Sequence, residues 1–263
     1  MAKTKKEILI IDNFSQGITA DPTAESGFAM MYCCDIHGKP GTIRIQQKST
    51  DNSDDDSAID DEVKWLENYF DSGTHYPMAV QNDGKIFYLN TGVGPNLWTQ
   101  VRNPGLGGQG AKAFGASFYY VQNSQLGQLQ GDPTVPGNYT DNFQALKTAM
   151  IVNEYSQCVI FAGALYVPNE RYIGKLEADE VTWDNEALTL PLGYYIRGMC
   201  EWNDRLVFGT FFPGSTKQTP PDLTESIFIW DGVSPTFEKR IPVPGAVTAV
   251  FNYNDVLFAF IDG

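Results

Sequence analysis

Residues 196–208 and 247–259 align without a gap, 51 residues apart. Each is a short apolar stretch, then an aromatic residue (Trp202, Tyr253), then Asn-Asp, then a second apolar stretch. Asn-Asp tolerates left-handed backbone and closes a hairpin between two strands. Weaker copies lie around Tyr155, in residues 152–161, and around Asn82-Asp83-Gly84, in residues 78–87. After the hairpin at Asn203-Asp204 come two further strand candidates, residues 226–230 and 237–243, joined through Asp231-Gly232. This makes four antiparallel strands in a repeat of about 50 residues. Such a unit buries its two faces only against neighbours of the same kind. The repeat therefore predicts an all-β chain, a β-propeller-like array of four-stranded antiparallel blades. A β-sandwich whose hairpins resemble one another is the alternative.

Composition agrees. The chain carries 16 Phe, 13 Tyr and 5 Trp beside 25 Gly and 15 Pro, with only 19% charged residues, a mixture that suits strands and turns. The one helical pattern is residues 58–70, with Val63, Leu66 and Phe70 at i, i+3 and i+7. Residues 113–121 and 150–152 are among the strand candidates. Residues 122–139, rich in Gln, Gly, Pro and Asn, read as a loop or insertion, and residues 213–221 as another loop. Residues 105–110 read as a flexible Gly-rich loop at a subunit contact, since they lack both the Walker ending and a dinucleotide-binding context. The expected division is an N-terminal strand segment with an acidic loop and short helix in residues 1–75, then propeller-like repeats in residues 76–263. The last repeat has only two strands. The expectation is that N-terminal strands (residues 8–11 and 42–45) complete it, or that the sequence is the front part of a longer chain.

Asp and Glu number 32 against 18 Lys and Arg, a net charge of −14. That balance argues against nucleic acid and anionic membrane as partners. The apolar run at residues 8–11 is too short for a signal peptide, and no stretch is long enough for a membrane helix. Cys33, Cys34, Cys158 and Cys200 form no Cys-x-x-Cys pair, and this usage fits folding in a reducing cytosol. Cys34 with His37 has a spacing that a metal would accept, but a buried thiol and a surface histidine suffice, and the acidic run at residues 51–62 lacks the central Gly of a calcium loop. No metal or cofactor is expected. Glu154, Glu201, Asp204, Asp231 and Asp255 are the carboxylates to weigh as a glycosidase pair. Asp204 and Asp255 recur at equivalent repeat positions and Asp231 sits in an Asp-Gly turn, which fits turn formation and not a unique catalytic pair, so no enzyme is expected. Trp98, Trp183, Trp202 and Trp230 are the aromatics to test for sugar stacking; blade packing is the plainer role for each.

The opening, Ile10-Ile11-Asp12-Asn13-Phe14-Ser15-Gln16-Gly17-Ile18, with Cys34-Asp35-Ile36 and Gly41-Thr42-Ile43-Arg44 after it, resembles virion proteins of tailed bacteriophages. The repeats, with Asn-Asp between strands and Trp230-Asp231-Gly232 ending the third strand, resemble the blades of tail and connector propellers. The resemblance implies a structural component of the tail or head–tail connector, folded in the host cytoplasm and located in the virion. Its implied partners are other virion proteins and copies of itself. A carbohydrate- or receptor-binding propeller module, with a host glycan as ligand, is the alternative.

Overall fold

The computed structural model describes residues 61–90, 97–105, 107–150, 154–212 and 224–262, together with Ile59 and two short strands nearer the N-terminus. The chain divides into two compact units, Met1–Asp56 and Ser57–Gly263. In the first, β1 (Cys34–Asp35) pairs antiparallel with β2 (Arg44–Ile45). The second is a succession of antiparallel sheets, each built in chain order. Blade 1 holds β3 (Val63–Asp71), β4 (Thr74–Gln81), β5 (Ile86–Asn90) and β6 (Leu97–Arg102). Blade 2 holds β7 (Gly108–Phe114), β8 (Ser117–Gln122), β9 (Gln125–Gln130) and β10 (Tyr139–Ala145). Blade 3 holds β11 (Val159–Phe161), β12 (Ala164–Asn169), β13 (Tyr172–Leu176) and β14 (Trp183–Thr189). Blade 4 holds β15 (Tyr195–Glu201), β16 (Leu206–Phe211), β17 (Ser226–Trp230) and β18 (Lys239–Pro242). Blade 5 is the pair β19 (Ala246–Tyr253) and β20 (Val256–Asp262).

The Asn-Asp turns do what the repeat requires. Asn203 and Asp204 have φ of 50° and 55°, and Asn254 and Asp255 have 50° and 61°. Two successive left-handed residues form the tight turn whose twist matches a hairpin. The same first hairpin is turned by Ser72-Gly73 in blade 1, by Gly115-Ala116 in blade 2 and by Ala162-Gly163 in blade 3. The copy centred on Tyr155 is therefore out of register: Tyr155 precedes β11, and the turn equivalent to Asn203-Asp204 is Ala162-Gly163. Asn82-Asp83-Gly84 turns the second hairpin of blade 1, not the first.

Alternation along each strand decides how the sheets stack. On β8, Phe118 and Tyr120 pack with Tyr69, Met78 and Val80 of blade 1, whereas Tyr119 and Val121 pack with Leu165 and Val167 of blade 3. Likewise on β17, Phe228 and Trp230 join Phe161 and Tyr166 of blade 3, whereas Ile227 and Ile229 join Val247 and Val250 of blade 5. Blades 2, 3 and 4 are thus covered on both faces. A sandwich has two sheets, each with one outward face, so the sandwich alternative is set aside and the array is propeller-like. Neighbouring sheets approach along their first strands, β3 to β7, β11 to β15 and β15 to β19.

Several expectations are corrected. Residues 58–70 are not a helix; from Val63 they form β3, with Tyr69 buried while Leu66 and Phe70 are exposed. The apolar spacing coincided with helical period, but Trp65, Glu67 and Tyr69 turn inward at period 2. The first blade therefore starts at Val63 and includes the residues around the 75/76 boundary. Residues 122–139 are not one loop: they contain β9, whose Gln128 is buried because it donates to Ser117 Oγ at 3.2 Å and Tyr119 Oη at 3.0 Å. Residues 113–121 are two strands broken at Gly115-Ala116, and Met150 lies outside any strand. Residues 108–110 are the start of β7, where glycine is required by close approach. A Cβ on Gly108 would strike the Gln81 carbonyl, and one on Gly110 the Ser156 carbonyl. The opening at residues 8–18, Cys33, His37, nearly all of the acidic run and the loop at 213–221 lie outside the described residues.

Candidate functional site

The polar side chains of the blades converge on the seams between neighbours. At the seam of blades 1 and 2, Arg102 on β6 forms a two-bonded ion pair with Asp141 on β10, its Nε at 3.0 Å from Oδ1, and Tyr120 donates to the same carboxylate at 2.7 Å. Burial alone would raise the Asp141 carboxyl; the Arg102 guanidinium and the Tyr120 hydroxyl outweigh it and hold it below the usual range. Lys112 on β7 reaches Glu67 on β3 at 3.0 Å. The Tyr69 hydroxyl accepts from Gly131 N–H at 2.9 Å.

At the next seam Glu180, in the turn between β13 and β14, reaches back to blade 2. Its carboxylate accepts from Ala116 N–H at 2.9 Å, Ser117 Oγ–H at 2.6 Å and Tyr119 Oη–H at 2.9 Å. Burial pushes the Tyr119 and Tyr120 hydroxyls far above the ordinary phenol range. The same turn device recurs between third and fourth strands: Asp132, Asp179 and Asp231 each accept from a backbone N–H and a hydroxyl two or three residues on. This Asp repeat was readable in the sequence beside the Asn-Asp repeat.

The segment ahead of β11 is bonded to blades 2, 4 and 5. Ser156 N–H donates to Gln109 O on β7 at 2.5 Å, Gln157 Oε1 accepts from Met199 N–H on β15 at 3.2 Å, and Tyr155 Oη donates to Thr248 O on β19. Glu154 clamps Arg197 on β15 with contacts of 2.6 to 2.9 Å, and that guanidinium sits 3.9 Å from the Phe211 ring centre. A shallow cleft opens here, lined by Glu154, Tyr155, Glu170, Tyr195 and Phe211 among others, with room for little more than a water molecule. A cleft of this size does not enclose a small-molecule ligand, and Glu154 is spent on Arg197.

The four tryptophans do not come together. Trp230 is fully buried, donates to Ser234 O at 2.7 Å and meets the Tyr166 ring edge-on, so it is a core residue and not a sugar platform. Trp183 is half-buried; its indole N–H donates at 3.0 Å to Ala145 O of blade 2, and its ring lies over Gly174. Trp202 is half-buried and donates at 2.8 Å to Asp255 O in the hairpin of blade 5. Trp98, on β6, is half-buried beside Leu89. Of the carboxylates weighed as a pair, Asp204, Asp231 and Asp255 stand in turns and Glu201 ends β15. Among the described residues no group of three or more His, Cys, Asp or Glu is placed to hold a metal ion, and no helix is long and apolar enough to cross a membrane.

What sequence reasoning missed is an apolar surface. On blade 5, Tyr253, Val256, Phe258 and Phe260 are 61%, 52%, 42% and 46% exposed. The Phe251 ring stacks with Phe258 at 5.1 Å and lies 5.7 Å from Phe260.

No family model and no curated protein matches the chain. Among solved structures it is similar to a chain of the mitotic checkpoint complex, at 13% identity and TM-score 0.48, covering 72% of this chain and 56% of that one. It is also similar to the RRP9 WD40 repeats, at 10% identity and TM-score 0.49, covering 74% of this chain and 60% of that one. A chain of the nidogen/laminin complex matches at 14% identity and TM-score 0.45, covering 74% of this chain and 71% of that one. The chain thus spans less than two thirds of the first two proteins it resembles. Likeness at this level carries no function, and the fold rests on the sheet order and the shared cores: an all-β, propeller-like array of four-stranded antiparallel blades.

Proposed function

We propose that the chain is a structural component of a tailed-phage virion, in the tail or head–tail connector, acting through subunit interfaces. The observation that carries the interface part is the stacked aromatic face of β19 and β20, where Phe258 and Phe260 stand nearly half exposed. A contiguous apolar face of this kind marks a protein contact. The polar side chains support the same reading, because Asp141, Glu180, Glu154 and both Trp183 and Trp202 are engaged in holding one blade to another. The virion setting comes from the resemblance of the opening and of the hairpin repeats. Its partners are other virion proteins and further copies of the chain, with no sequence-specific nucleic acid, no membrane and no catalytic step. Of the four tryptophans, the carbohydrate-binding alternative is left with Trp98, since Trp230 is buried and Trp183 and Trp202 brace the blades.

Mass spectrometry of purified particles tests the reading. Peptides of this chain at a yield comparable to the capsid protein are the expected result. A chain found only as free protein, absent from particles, sinks it, and glycan-array binding then becomes the question to ask.

A further inference from the structure

In blade 1 the face turned to blade 2 carries Tyr69, Tyr76 and Met78. Tyr69 and Tyr76 stack at 6.1 Å, and Phe118 of blade 2 covers Tyr69 at 6.1 Å. Counted from the first hairpin turn, the same positions in blade 5 are Phe251, Phe258 and Phe260; Phe251 pairs with Phe258 as Tyr69 pairs with Tyr76. The opposite face of blade 5, with Leu257 and Ala259, already packs on blade 4. Blade 5 therefore presents a second face built like the buried seams, with Phe258 and Phe260 exposed on it.

The other end of the array has the matching half. On blade 1, Leu66 and Phe70 are 66% and 63% exposed, with Phe70 stacked on His75 at 4.7 Å. These residues hold the positions that Gln109, Ala113 and Phe118 hold in blade 2, the face that receives blade 1. Leu66 and Phe70 on blade 1, and Phe258 and Phe260 on blade 5, are exposed, and no core cluster of the described residues joins these two blades.

We propose that these faces meet between copies: blade 5 of one molecule packs its Phe251, Phe258 and Phe260 onto Leu66 and Phe70 of the next, repeating the seam that already joins each blade to its successor. The contact is head-to-tail, so it propagates into rings or rows and not into a closed two-fold dimer. It rests on the subunit-interface reading above and names the partner as a second copy. Each molecule carries a net charge of −14, so the association strengthens as salt screens the repulsion.

The test is sedimentation and light scattering of the full chain over a range of concentration and salt. Concentration-dependent assembly is expected. Phe258→Asp with Phe260→Asp blocks one end, and Leu66→Asp with Phe70→Asp blocks the other. Each pair should weaken assembly by at least about 30-fold, the scale of a central interface residue. A mixture of the two variants should give dimers and stop there, because each retains one working face. A wild-type chain that stays monomeric, or assembly that survives either pair, overturns the contact. On the unsubstituted chain, rising concentration should slow amide exchange in β3 and β20 together; protection of one without the other overturns it as well. A monomer that is nevertheless found stoichiometrically in particles defeats this contact and leaves the virion reading standing.

Discussion

Individual side chains here act mostly as braces. Trp183 and Trp202 are among the aromatics the sequence offers for sugar stacking, with blade packing as the plainer role; each spends its N–H on the carbonyl of a neighbouring blade. Only contacts far apart in sequence decide this, and no local signal records them. Asp141 is a further case, tied to Arg102 and Tyr120 across the seam of blades 1 and 2. Its carboxyl is held below the ordinary value. A depressed folded value stabilises fully above the unfolded pKa, near 4, and that contribution is lost as pH falls through the folded value. Asp141→Asn should therefore cost about 1 kcal/mol at pH 7, allowing for solvent screening at this half-buried pair. The gap between variant and wild type in urea unfolding should close below about pH 4. A gap that persists unchanged in acid would show that the carboxylate charge is not what matters at Asp141.

At the scale of elements, legibility followed local chemistry. The hairpins at Asn203-Asp204 and Asn254-Asp255 were readable because two turn-forming residues stood between apolar runs, and their positive φ values match. The hairpin at Ala162-Gly163 was not, because Ala162 adopts φ 48° without the side chain that favours it. That misplaced the third repeat onto Tyr155. β3 was mistaken for a helix for a related reason. Its exposed Leu66 and Phe70 are apolar, so the polar-outside half of the alternation was missing, and the residues that are exposed at the open end of the array imitated a helical stripe. β9 was hidden because its inward Gln128 is satisfied by Ser117 and Tyr119, which only the neighbouring strand supplies. Ala162→Gly should raise stability by about 1 kcal/mol, since glycine takes the left-handed turn without the Cβ penalty. Ala162→Val should lower stability by at least as much. Thermal unfolding of the two variants checks it; no gain with glycine would mean that the turn is not strained in solution.

For the whole molecule, the question is whether the blades behave as one block or as neighbours. Every core cluster joins just two consecutive blades, so the coupling expected is between nearest neighbours. Two buried thiols report on it. Cys158 lies in the cluster of blades 2 and 3, and Cys200 in that of blades 4 and 5 with Val247 and Val250. Burial pushes both thiols up to about 12, so at pH 8 neither is ionised enough to react in the intact array. Val247→Asp with Val250→Asp drives charge into the seam of blade 5 and uncovers Cys200. Alkylation followed by peptide mapping should then show Cys200 labelling roughly tenfold faster or more, with Cys158 as slow as before. Labelling of both thiols at the same raised rate would mean that opening one seam unfolds the whole array. The stability of this protein would then belong to the entire set of blades, and the open face of blade 5 would be as costly to the first blade as to the last.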